Sequence, residues 1–140
     1  MSYTNKMSLN FDSLSENEAF ARISVASFCA NKIKDLESIN DIKTAVSEAV
    51  TNAIVHGYHG IKGEISINCI ITDNEITIDI IDNGVGIEDI DIAQKPFYTS
   101  KPEMERSGMG FTVMKEFMDK MEVVSEIGKG TKVTLIKNIK

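Results

Sequence analysis

Glu48 and Asn52 stand four residues apart, so on a helix both side chains leave the same face. A carboxylate stacked over an amide can hold or organise a hydrated magnesium ion, whose preferred ligands are oxygens. The competing reading is a solvated polar face, since polar pairs at this spacing are common. A second group is Asp82-Asn83-Gly84-Val85-Gly86, directly after an apolar alternation. An aspartate at a strand end can accept a hydrogen bond from an exocyclic amine such as that of adenine. Gly84 and Gly86 would let a ligand approach the backbone closely, although the same residues also suit a plain turn. The third group is Ser107-Gly108-Met109-Gly110-Phe111, at the start of an apolar helical pattern. Free N–H groups and the helix dipole make such an end attractive to phosphate. Its competing reading is a glycine hinge.

Other phosphate motifs do not fit these residues. Gly108-Met109-Gly110 lacks the third glycine of a dinucleotide fingerprint and follows no strand of a βαβ unit. Gly128-Lys129-Gly130-Thr131 lacks the upstream glycine spacing of a P-loop. The protein-kinase catalytic-loop and metal-binding signatures are missing too.

The elements that must position these groups follow from periodicity. Met7, Leu9 and Phe11 alternate with polar residues and predict a first strand. Ser15 and Glu18 form a capping-box pattern. The helix after it is predicted to reach about Leu36 and to bury Phe20, Ile23, Ala26 or Ser27, Ala30 and Ile33. A second helix is predicted from Asn40 or Asp41, with Ile42, Val46, Ala49, Val50, Ala53 and Ile54 as its buried stripe and Gly57 as its stop. Ile65, Ile67, Cys69 and Ile71, then Ile76, Ile78 and Ile80, predict two strands joined by a hairpin at Asp73-Asn74. Residues 87–107 show no periodicity, which suggests a lid. A third helix over Gly110–Met118 and two strands, Glu122–Glu126 and Thr131–Lys137, complete the chain. The expected fold is α+β: a two-layer sandwich with helices on one face of a mixed, mostly antiparallel sheet.

The totals set limits on function. With 140 residues, 42% apolar and 26% charged, the chain suits one soluble domain, residues 1–140. A net charge of −6 disfavours direct nucleic-acid binding and suits a basic protein partner. No apolar run is long enough to span a membrane, and the N-terminal residues do not read as a signal peptide. Cys29 and Cys69 sit among apolar residues and read as reduced core thiols of a cytoplasmic protein.

Taken in order, a helix with Glu and Asn, Asp-x-Gly-x-Gly after a strand, and Gly-x-Gly at a helix start resemble the Bergerat ATP site. That site belongs to gyrase-like ATPases, Hsp90 chaperones, MutL proteins and histidine kinases. At this length the extra domain of gyrase-like or MutL ATPases is not expected, and Val55 occupies the lysine place of the histidine-kinase Asn box. His56 and His59 read as capping or surface residues. The run from Ser47 to Tyr58, the run from Phe97 to Phe111 and Glu16–Arg22 are more narrowly similar to the sporulation anti-sigma F factors. General-stress anti-sigma kinases are the nearest alternative. A histidine-kinase ATP domain and a non-catalytic, nucleotide-gated binding module stay open beside them.

The resemblance implies ATP or ADP with Mg²⁺ in the pocket and a lid over about residues 87–110. It implies that Glu48 is the general base toward a substrate serine and that Asn52 ligates magnesium. Asp82 would bond the adenine amine, with Gly84 and Gly86 leaving room for the base and Thr131 supporting that bond directly or through water. Ser107, Gly108, Met109 and Gly110 would wrap the phosphates, Arg106 would stabilise γ-phosphate charge, and Thr99, Ser100 and Lys101 would close over the nucleotide. The implied partners are a sigma factor of the sigma F type and an anti-anti-sigma protein that is phosphorylated on serine. Arg22 is expected to dock partners, and a homodimer is expected through the first strand.

Overall fold

A computed structural model describes residues 2–59, 61–87, 90–94 and 110–139. Strand β1 (Thr4–Asp12) leads into helices α1 (Asn17–Cys29) and α2 (Leu36–Asn52). Next come β2 (Glu64–Thr72), β3 (Glu75–Asp82), a short α3 (Ile90–Ala93), α4 (Gly110–Phe117), β4 (Lys120–Glu126) and β5 (Gly130–Asn138). The five strands form one sheet in the order β1-β2-β3-β5-β4. Every pairing is antiparallel. The expectation of a mixed sheet is therefore corrected: β3 reaches β5 as an antiparallel neighbour, and no described strand pairs in parallel.

Strict alternation decides which face is covered. Ile65, Ile67, Cys69 and Ile71 of β2 and Ile76, Ile78 and Ile80 of β3 are buried. Val133 and Leu135, the β5 register partners of Ile80 and Ile78, are buried with them. Against this face lies the predicted α2 stripe of Ile42, Val46, Ala49, Val50, Ala53 and Ile54, buried throughout. Each fully buried isoleucine contributes about 1.5–3 kcal/mol, so the layer beneath the candidate site is rigid. α2 packs against both α1 and α4.

The first helix differs from its prediction in three ways. It ends at Cys29, and α2 starts at Leu36, because the Asp35 carboxylate caps α2 by accepting from Ser38 N at 2.9 Å. The capping box does not form: Glu16 precedes α1 with no side-chain cap, and Glu18 instead pairs with Arg22. The buried stripe is Ala21, Val25, Ala26 and Cys29, whereas Phe20 and Ile23 are 52% and 57% exposed. Apolar residues cover two sides of α1, so spacing alone could not choose between them. The smaller set lets α1 approach α2 closely.

Smaller corrections concern the ends of elements. β4 begins at Lys120, two residues before the predicted strand, and α3 interrupts the stretch predicted to lack structure. Cys29 and Cys69 are buried free thiols, as expected. Burial raises both thiols above their ordinary range, Cys29 to about 12.

Candidate nucleotide site

α2 ends in a single π turn over Ala53–Gly57, closed by Tyr58 N donating to Ala53 O at 3.0 Å. Such turns are rare and often mark functional sites. Here the turn follows Asn52 and carries the chain toward the end of β3. Gly57 stops the helix as predicted, but not through a left-handed cap, since it is not among the positive-φ residues. Its reason is contact: a Cβ on Gly57 would lie 2.9 Å from Asp82 Cγ.

Asp82, at the end of β3, is only 6% exposed. Its Oδ1 accepts from Gly84 N at 2.9 Å, and its register partner is Thr131. Burial raises the carboxyl above its ordinary value, while the backbone N–H groups of Gly84 and Thr131 pull it back. A buried carboxylate with two backbone donors has spare acceptor capacity for an amine. The loop after it is held tightly. Val85 N donates to Gly57 O at 2.9 Å, and a Cβ on Gly84 would sit 2.0 Å from that same oxygen. Gly86 has φ +81, and a Cβ there would lie 2.4 Å from Glu126 O, so both its conformation and its neighbour require glycine.

α4 completes the arrangement. A Cβ on Gly110, its first residue, would lie 2.9 Å from Asn52 Nδ2 and 3.0 Å from Oδ1. Gly110, from the third predicted group, therefore meets Asn52 of the first at its amide. Glu48, one turn earlier on α2, is half-buried and has a partner of its own. Among the described residues no three His, Cys, Asp or Glu side chains gather to hold a metal. The oxygens of Glu48 and Asn52 suit magnesium only if phosphate oxygens or water supply the remaining ligands, which is how magnesium is commonly bound.

The structure thus assembles Asn52, Asp82, Gly84, Gly86, Gly110 and Thr131 around one end of α2, with Glu48 a turn away. Thr99, Ser100, Lys101, Arg106, Ser107, Gly108 and Met109 lie outside the described residues, as does most of the predicted lid. Arg22 lies apart on α1, its Nε donating to Glu18 Oε2 at 3.0 Å, with the side chain 34% exposed. It is half-buried rather than a freely solvated charge. His56 is half-buried and His59 exposed, the latter at φ 51.

Two contributors escaped the sequence reading. Tyr58 Oη accepts from Asn83 N at 2.7 Å and donates to Glu64 O, clamping the Asp82 loop. Ser125 Oγ accepts from Ile87 N at 2.7 Å. Tyr58 closes the Ser47–Tyr58 run but carries no role in that reading, and Ser125 belongs to no motif, although the β4–β5 hairpin pattern would have set Ser125 opposite Thr131.

A sequence profile described as "Histidine kinase-like ATPase domain" matches residues 11–137. The chain belongs to that family. Among its relatives within it are anti-sigma F factors. The protein of that name from Clostridium acetobutylicum is 56% identical over 133 residues, spanning 95% of this chain and 93% of the relative. The one from Thermoanaerobacter pseudethanolicus is 57% identical, spanning 99% and 97%. The one from Oceanobacillus iheyensis is 55% identical, spanning 96% and 93%. Among solved structures, the RsbU and RsbW domains of a Mycobacterium tuberculosis protein superpose with TM-score 0.64 at 18% identity, over 95% of this chain and 31% of that one. This last likeness speaks for the fold. A histidine kinase-like ATPase domain is a nucleotide-binding unit, and here α2, the β3 end and α4 are brought together through close contacts at Gly57, Gly84 and Gly110. Among the described residues no helix is long and apolar enough to cross a membrane.

Proposed function

We propose that this chain is an anti-sigma factor and an ATP-dependent protein serine kinase. It binds and silences a sigma factor of the sigma F type, and it phosphorylates a serine of an anti-anti-sigma protein in the cytoplasm. The observation that carries this reading is the seating of Gly110 on the Asn52 amide, which joins α4 to the Glu48–Asn52 face of α2. The anti-sigma F names of relatives above 50% identity support the partner assignment.

Bound ATP with magnesium supplies a transferable phosphoryl group and neutralises charge on it. The chain's own part is positioning and electrostatics, which dominate phosphoryl transfer. Asp82 receives the adenine amine, with Thr131 beside it. Gly84 and Gly86 keep side chains away from the base. Asn52 offers its amide oxygen to magnesium. Glu48 takes the proton of the attacking serine hydroxyl. Ser107, Gly108, Met109 and Gly110 donate backbone N–H groups to phosphate oxygens, Arg106 stabilises charge on the γ-phosphate, and Thr99, Ser100 and Lys101 close over the nucleotide.

Arg22, aligned by Glu18 on α1, docks both partners; Phe20 and Ile23 of the same helix are exposed. β1 is an edge strand, and a second copy pairs with it to form a homodimer. The test is incubation with γ-labelled ATP, magnesium and an anti-anti-sigma protein. Label on a partner serine is the expected result. Label on a histidine of the chain itself, or none anywhere, would refute the kinase assignment.

A further inference from the structure

Ser125 Oγ meets three groups at once. It accepts from Ile87 N at 2.7 Å, lies 3.0 Å from Gly130 O, and lies 2.8 Å from Thr131 Oγ1. A hydroxyl has one proton and two lone pairs. Gly130 O can only accept, so the Ser125 proton points there. Ile87 N–H takes one lone pair, and the other is left for the Thr131 hydroxyl, which must donate. The opposite assignment would set the Ser125 and Gly130 oxygens lone pair to lone pair at 3.0 Å. The proton of Thr131 is thereby committed to Ser125, and its remaining oxygen lone pairs are the groups it can offer a ligand.

Thr131 is the register partner of Asp82, so the two side chains leave the same face of the sheet side by side. We propose that Ser125 is a positioning residue that makes Thr131 an acceptor beside the acceptor Asp82, so that the site selects a purine with an amino group at position 6 over one with an oxygen there. This deepens the adenine-site reading above and rests on it. An amino group meets two acceptors with its two hydrogens. A carbonyl oxygen would meet two oxygens and no donor, a mismatch that a buried polar site penalises. Without Ser125 the Thr131 hydroxyl can rotate and donate to that carbonyl.

The test compares the affinities of ADP and inosine diphosphate, which differ in the base only at position 6 and the adjacent nitrogen's proton. Calorimetric titration of wild type should show a clear preference for ADP. Ser125→Ala should narrow the ratio by about tenfold, whatever happens to absolute affinity, and Ser125→Thr should keep it near wild type. A purely structural role for Ser125 would weaken both nucleotides alike. An unchanged ratio in Ser125→Ala would overturn the proposal. Should that variant fail to fold, Thr131→Val removes the positioned acceptor itself, and it too must narrow the ratio or the proposal fails. Wild type that binds ADP, with ratios unmoved by either change, defeats only this inference; wild type that binds neither nucleotide defeats the adenine-site reading itself.

Discussion

Replacing Gly110 with alanine separates the site from the fold. The added Cβ would lie 2.9 Å from Asn52 Nδ2, 3.0 Å from Oδ1 and 3.3 Å from Cγ. Ordinary contact needs roughly 3.5–4 Å, so the amide must retreat by about 0.5–1 Å. It is the far end of a side chain and can rotate, at about 0.5–1.5 kcal/mol for an off-rotamer torsion. Alanine offsets this by up to about 1 kcal/mol of helix propensity over glycine. Stability of Gly110→Ala should therefore stay within about 1 kcal/mol of wild type, by urea unfolding. Function should not survive as well, because a misplacement near 1 Å in a positioned group can cost about 100-fold. Affinity for ATP with magnesium should fall about tenfold, serine phosphorylation further, and magnesium-free ADP binding little. Wild-type affinity for magnesium-ATP in this variant would refute the role given to Asn52. A loss above about 3 kcal/mol would show instead that the contact belongs to the core.

Gly84→Ala should behave oppositely: its Cβ would meet Gly57 O, a backbone atom, at 2.0 Å, and a loss of about 3 kcal/mol or more in urea unfolding is expected. Because burial raises the Asp82 carboxyl from 3.8, its stabilising contribution is full below that value and is lost as pH rises through the raised one. Wild type should thus gain on Asp82→Asn as pH falls from about 7 to about 4 in urea unfolding, and a flat difference would contradict burial as the cause. Glu48→Gln should keep ATP affinity within about threefold and slow serine phosphorylation by about 100-fold or more; unchanged transfer removes the base assignment. Arg22→Ala loses a partly exposed pair with Glu18 worth under about 1 kcal/mol, yet should weaken both partner complexes by about tenfold or more in pull-downs. Intact complexes would end the docking role.

Much of this arrangement was legible in the residue order. The β2–β3 hairpin and the α2 stripe could be read because one face of each is apolar and the other is mainly polar, broken on the hairpin only by Ile70 and Ile81. Of the three separated motifs the structure describes the first two and part of the third, with Gly110 against Asn52 and Asp82 beside Thr131. α1 was misread because Phe20 and Ile23 are larger and more apolar than Ala21, Val25 and Cys29, which are the residues that pack. Spacing weighs size, whereas close helix contact selects for small side chains. The early start of α2 was missed because a single carboxylate, Asp35, sets it. Ser125 and Tyr58 were invisible for another reason. Each acts through one hydroxyl on a distant backbone group, and such bonds leave no periodic trace.

Calorimetric titration of the purified protein with ATP, with and without magnesium, asks whether the Asn52 amide holds the cation at a nucleotide. Saturable binding is expected, strengthened by magnesium in wild type and indifferent to magnesium in Asn52→Ala. Absence of binding, or a magnesium dependence that survives removal of Asn52, would contradict this expectation.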